Sequence, residues 1–345
     1  MDTHVVIMAG GVGSRLWPVS TPDRPKQFID LLGTGRTLIQ MTADRFSGIC
    51  GPDRLWVVTS EKYESLVREQ LPMIPSDNIL TEPEPRNTAP CIAYACRKIS
   101  ARHPDANVVV TPADAFVADF SGFEAAIRKA LDFTAGSTAI VTVGISPDRP
   151  ETGYGYVCAE ENRPGEIVKV SAFKEKPDRK TAEFYLSAGN YHWNAGIFVW
   201  TVRTIESQLR LHAPSIAGVM DMIAPSFYTP SERQALAEHF GRCEKISIDY
   251  AVMEKSDDIY VIAGDFGWSD LGSWSAVRRH MALDADGNAV VGDRVTLSGC
   301  RNCIVHASGP LGLDGFVVAE RDGKTLVCRL SEEQRVKEFS ERFVK

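Results

Sequence analysis

Residues 5 to 28 read VVIMAGGVGSRLWPVSTPDRPKQF. A short apolar run, Val5 to Met8, leads straight into Ala9, Gly10, Gly11, Val12, Gly13, Ser14 and Arg15. Glycines at a strand end leave backbone N–H groups bare, where an anion can approach closely. Arg15 and Lys26 add two cations to the same loop. So many donors with two cations suit a polyphosphate. A tight turn in an α/β protein accounts for the glycines but not for the cations beside them. The spacing excludes two other phosphate loops. A dinucleotide loop wants a third glycine where Leu16 stands, and no G-x-x-x-x-G-K-[ST] string follows.

Six further strings follow in order: TEPEPRNTAPCIAYA (81–95), TPADAF (111–116), TGYGYV (152–157), FKEKPD (173–178), NAGIFVW (194–200) and GWSDLGSW (267–274). With the opening loop, they resemble the sugar-1-phosphate nucleotidyltransferases over roughly residues 4 to 280. The L-W-P form followed by P-K-Q-F is similar to the mannose-1-phosphate guanylyltransferase branch. The resemblance implies a reaction in which GTP and α-D-mannose 1-phosphate give GDP-mannose and pyrophosphate. It proceeds by in-line attack on the α-phosphorus, with Mg²⁺ and no covalent intermediate. The same reaction on another sugar 1-phosphate, such as a heptose or glucose, or on another nucleotide, is an alternative. A non-catalytic sensor of GDP-mannose is a third reading, from a different class. It would be expected to have lost at least one of Arg15, Lys26, Asp114 and Asp270, and all four are present.

The chemistry agrees with these residue types. The attacking phosphate is already ionised near neutral pH, so the task is to bring two anions together and stabilise a charged transition state. Cations, backbone donors and Mg²⁺ serve that task, and no Ser-His-Asp arrangement is needed. By resemblance, Arg15 and Lys26 are catalytic and reach the triphosphate, which Ala9, Gly10, Gly11, Gly13 and Ser14 help to cradle. Asp114 follows the β-run NVVVTPAD and Asp270 lies among turn residues. The resemblance makes them the metal pair, while a cap or Asx-turn is the plainer alternative for each. Family members commonly carry His after the first of these aspartates. Here Ala115 stands there, a difference expected to touch support of the site rather than the reaction type. Glu175 is assigned to sugar hydroxyls and Lys176 to the sugar's phosphate, with Asn194 and the Gly155 backbone completing the pocket. A charged turn before a helix is the alternative for Glu175-Lys176. Guanine offers N–H donors, so its site wants acceptors. The segment from Glu82 to Thr88 is rich in candidates, and Glu82, Asn87 and Thr88 are placed near the base. Asn87 and Thr88 could equally cap the next helix.

The chain's 345 residues suit two domains. The formal charge of −7 argues against a general nucleic-acid binder. No apolar run nears the ~18 residues that cross a bilayer, and the N-terminus lacks a signal-peptide pattern, so the expectation is a cytoplasmic protein without membrane or nucleic-acid partners. The eight cysteines then read as reduced thiols. Cys300 and Cys303 form a C-x-x-C pair; zinc, which would need two more ligands with His306 and Cys328 as the nearest candidates, is the less favoured reading against small residues in a β-rich segment.

Strand-like runs at 4–9, 54–59, 107–111 and 138–144 alternate with helical patterns at 37–48, 61–71, 87–102 and 120–134. This predicts an α/β fold: a Rossmann-like, mostly parallel mixed sheet flanked by helices, of the nucleotide-diphospho-sugar transferase type. Residues 152–157 and 166–173 read as an antiparallel insertion, 178–188 as a helix, 192–200 as a strand, and 201–253 as helical in pieces. The catalytic domain is expected over 1–283. A small β-rich domain over 284–345 ends in a helix, with Ser331 and Gln334 as a capping box. Related enzymes often use such a tail for self-association, so the resemblance implies a homodimer. The tail has no room for a fused isomerase domain, so a single activity is expected.

Overall fold

The computed structural model describes residues 1–11, 13–292, 295, 297–307 and 313–343. The chain divides into two compact units. The first holds Met1–Gly10, Ala43–Pro112 and Val117–Trp268, and the second holds Gly11–Thr42, Ala113–Phe116 and Ser269–Lys345.

Nine strands of the first unit form one sheet among the described residues: β1 (Thr3–Ala9), β2 (Leu55–Ser60), β3 (Ile79–Glu82), β4 (Asn107–Pro112), β5 (Ile140–Ile145), β6 (Tyr156–Ala159), β7 (Ile167–Lys174), β8 (Tyr191–Thr201) and β9 (Ile259–Gly264). Their order is β3-β2-β1-β4-β8-β5-β9-β7-β6, with β6 also paired to β8. β8 runs antiparallel to β4, β5 and β6, and β7 runs antiparallel to β6 and β9. The other seven strands share one direction, which is the mostly parallel mixed sheet expected from the sequence. β2, β4 and β5 are near-continuous apolar runs because helices cover both faces. The helix Thr88–Ser100 packs Ile92, Tyr94 and Ile99 in one cluster with Val6, Val58, Val108, Val110 and Trp200.

The order reverses between β1 and β4, which are parallel neighbours. Ligands of open α/β sheets bind outside the carboxyl ends of strands at such a switch point. The glycine loop leaves β1 there, and Asp114 follows β4 by two residues.

Two strands escape the sequence pattern. β3 has only four residues, and β9 is an apolar run that periodicity cannot tell from a buried helix. The stretch 201–253 does break into helical pieces: Val202–His212, Pro214–Ile223, Glu232–His239 and a wide turn at Asp249–Met253. Pro214 opens its helix at the first turn, where a missing N–H costs nothing.

In the second unit, β10 (Ala289–Val290), β11 (Ile304–His306), β12 (Phe316–Arg321) and β13 (Lys324–Arg329) form a small sheet in that order. Its core contains Ala289, Ile304, Val317, Ala319, Leu326 and Val336 together with Leu16, Trp17, Ile29, Leu31, Leu271 and Trp274. The expected boundary at 283/284 therefore falls inside this unit. Within the β-rich tail expected over 284–345, residues 293, 294, 296, 308–312 and 344–345 lie outside the described residues. The final helix is Val336–Phe343. Ser331 does not cap it: a 3₁₀ turn, Leu330–Arg335, contains Ser331 and precedes the helix. Among the described residues, no helix is long and apolar enough to cross a membrane.

Candidate active site

The triphosphate and metal candidates from Gly11 onward belong to the second unit. Gly13 sits at φ 67°, and a Cβ there would lie 2.8 Å from Lys26 Cγ. Only glycine meets both demands. Gly13 O accepts from Leu16 N at 3.1 Å, closing the turn Ser14–Leu16. Arg15 is exposed on that turn, and its guanidinium makes no ion pair or hydrogen bond with the described residues. Gln27 Nε2 donates to Gly11 O at 2.9 Å, tying the far end of the loop to its start.

Lys26 is 7% exposed, so it is not a solvated surface lysine. Its ammonium lies 3.1 Å from Asp114 Oδ2 and donates to Asp270 O at 2.5 Å. The two aspartate segments are held together by a bridge the sequence did not reveal. Phe116 N donates to Ser269 O at 2.7 Å, and Ser269 N donates to Phe116 O at 3.0 Å. Asp270 Oδ1 accepts from Gly272 N at 3.0 Å, so the Asx-turn alternative is realised there and fixes the carboxylate. Two hard carboxylates on paired segments, beside a buried ammonium, fit a divalent cation that shares its shell with phosphates. Ala115 is fully buried in this segment.

The remaining candidates belong to the first unit. Ala9 ends β1, and its carbonyl accepts from Thr59 Oγ1 at 2.9 Å; Gly10 follows it. Glu82 ends β3 and is 8% exposed, with no hydrogen-bond partner on Oε1. Burial pushes its carboxyl from 4.5 up to about 8, so in this state it holds a proton at neutral pH. Asn87, at φ 70°, caps the helix Thr88–Ser100 by accepting from Thr88 N at 2.9 Å. Thr88 Oγ1 accepts from Ile248 N at 2.9 Å. The capping role thus holds for Asn87, while the Thr88 hydroxyl serves a different segment.

Asn194 lies on β8 opposite Gly144 of β5, and its N donates to Gly155 O at 2.8 Å. A Cβ on Gly155 would collide with Glu175 Oε2. Glu175 is nearly buried, and Lys176 Nζ donates to its Oε1 at 2.5 Å. Burial works against the Lys176 ammonium, but the Glu175 hydrogen bond and charge outweigh it and raise its pKa. Gly155, Glu175, Lys176 and Asn194 are therefore one cluster. The sequence missed a fifth member, Asp249, which accepts from Asn194 Nδ2 at 3.0 Å. The sequence pattern over 201–253 shows only helical pieces there.

Cys300 and Cys303 are buried thiols in a small apolar cluster with Val305, and Cys303 Sγ donates to Arg301 O at 3.1 Å. No group of three or more His, Cys, Asp or Glu that could hold a metal occurs among the described residues.

A family model described as nucleotidyl transferase matches residues 4–287. Mannose-1-phosphate guanylyltransferase 2 of Escherichia coli O157:H7 is 38% identical over 97% of this chain and 72% of its own length. Mannose-1-phosphate guanylyltransferase of Escherichia coli K12 is 36% identical over 98% of this chain and 73% of its own. A solved structure from Thermus thermophilus, described as mannose-1-phosphate geranyltransferase, is 32% identical and covers both chains fully with a TM-score of 0.90. With motifs, sheet topology and relatives in agreement, this chain belongs to the nucleotidyl transferase family.

Proposed function

We propose that this protein joins GTP and α-D-mannose 1-phosphate to give GDP-mannose and pyrophosphate, with Mg²⁺. The observation that carries the reading is Lys26, a buried ammonium shared between the Asp114 carboxylate and the Asp270 carbonyl on a glycine loop. The base and sugar identities rest on the names of the relatives.

In this reading, the backbone of Gly11, Gly13 and Ser14 cradles the triphosphate. Lys26 and the uncommitted Arg15 stabilise the charge that grows on the departing pyrophosphate. Asp114 and Asp270 would hold the Mg²⁺, which when bound offsets the negative charge of the phosphates. Glu175 accepts from sugar hydroxyls, Lys176 holds the sugar's phosphate, and Asn194 and the Gly155 backbone orient the ring. Glu82, Asn87 and Thr88 flank the base. No general base is needed, because the nucleophile is an already ionised phosphate oxygen.

The test is pyrophosphate release from a matrix of sugar 1-phosphates and nucleoside triphosphates with Mg²⁺. Mannose 1-phosphate with GTP should give the highest kcat/KM. No release above an Asp270→Asn control with any pair would end the reading, and a different best pair would end its substrate assignment.

A further inference from the structure

The segment from Ile246 to Glu254 ties together groups placed separately above. Ala89 N donates to Ile246 O at 3.1 Å and Ile248 N to Thr88 Oγ1, at the start of the helix beside Asn87. Glu175 N donates to Glu254 Oε1 at 3.3 Å. Between these anchors lies Asp249, at the head of the wide turn Asp249–Met253. Asp249 is half-buried, and its carboxyl is desolvated.

The Asn194 amide is keyed on its oxygen side. Oδ1 accepts from Thr142 Oγ1 at 3.1 Å and from Gly196 N at 3.1 Å. Nδ2 is therefore the donor end, and one of its two N–H groups goes to Asp249. We propose that Asp249 is a positioning residue of the sugar-phosphate pocket: it locks the Asn194 amide so that the remaining N–H is held for a sugar hydroxyl, and it sets a second carboxyl beside the Glu175–Lys176 pair. The proposal rests on the assignment of this cluster to the sugar phosphate made above.

The electrostatics agree with the geometry. Burial first, then the Glu175 charge, lift the Asp249 carboxyl from 3.8 to about 6, while Lys176 and a hydrogen bond from Ser247 pull the other way. Tyr250 adds its own field at Lys176. Asp249 thus senses the residues assigned to the ligand. Its hydrogen bond to Asn194 gives it a specific route to act through.

The experiment is steady-state kinetics on Asp249→Ala, Asp249→Asn, Asn194→Ala and the Asp249→Ala/Asn194→Ala double variant. The sugar 1-phosphate is whichever one the unaltered protein uses best, so failure of the mannose or GTP assignment shows before any variant is made. Asp249→Ala should raise the KM for sugar phosphate about tenfold, as loss of one charge-assisted hydrogen bond implies. The KM for the nucleotide should stay within about twofold. Asp249→Asn keeps an oxygen for Asn194 Nδ2 and should recover most of the loss. On the Asn194→Ala background, the Asp249 change should add little, because the two act as one unit. Equal rises in both KM values, or effects that multiply in the double variant, would overturn the proposal. Asp249→Ser replaces the alanine variant if melting curves show that the latter does not fold.

Discussion

Removing the Lys26 ammonium would take away the ion-pair partner of the Asp114 carboxylate and one donor to the Asp270 carbonyl. Gly13 is bound to the same side chain. Gly13→Ala meets both a positive φ and the Lys26 stem, so it should cost roughly 1–3 kcal/mol and lower kcat/KM by displacing Lys26. Melting temperature together with kinetics checks this, and a fully active, equally stable Gly13→Ala would refute it. Glu82 makes a different prediction. Its folded pKa of about 8 lies above its ordinary 4.5, so the folded state holds a proton that the unfolded chain releases between these values. Stability contributed through Glu82 is present below pH 4.5 and is lost as pH rises toward 8, by an amount on the order of a few kcal/mol. The difference in unfolding free energy between the unaltered protein and Glu82→Gln, measured from pH 5 to 8, should therefore grow in favour of the glutamine variant. A pH-independent difference would contradict the assignment.

At the scale of elements, one buried ion pair docks the helix Glu232–His239. Lys98 Nζ meets Glu232 Oε1 at 2.5 Å, Tyr94 OH donates to the same oxygen at 3.1 Å, and Tyr228 N donates to Oε2 at 2.8 Å. Glu232→Ala leaves the Lys98 charge buried and unpaired, and should cost about 3–5 kcal/mol in denaturant unfolding. The KM values should change little, because none of these residues belongs to the candidate site. Such pairing was not legible in the sequence, because residues 98 and 232 are far apart in the chain. What was legible is local. The helix over 120–134 announces itself by its apolar pattern, and the structure adds its cap, Asp119 accepting from Gly122 N. Gly13 and Lys26 were legible because their types are unusual side by side in one loop. Asp249 and the Phe116–Ser269 bridge were not, because their roles come only from the partners the fold gives them. β3 was too short to show a period.

At the scale of the molecule, the glycine loop from Gly11 onward and the C-terminal sheet share a single unit. Arg321 Nη1 donates to Val19 O at 2.8 Å, and Glu333 accepts from Ser275 N and Oγ at 2.7 and 2.6 Å. A chain ended at residue 283 would strip Ile304, Val317, Leu326 and Val336 from the core that buries Leu16 and Trp17. It should be rapidly proteolysed within residues 13–32 and inactive. A soluble, active 1–283 fragment would show instead that the tail is a separable domain.

The most direct test of the central claim is the rate of pyrophosphate and GDP-mannose formation from saturating GTP, Mg²⁺ and mannose 1-phosphate, comparing the unaltered protein with Lys26→Met. The prediction is equal amounts of the two products and a kcat at least about a hundredfold lower in the folded variant, the size expected for losing a preorganised charge at the reacting phosphates. A folded Lys26→Met protein that retains its kcat would contradict the account.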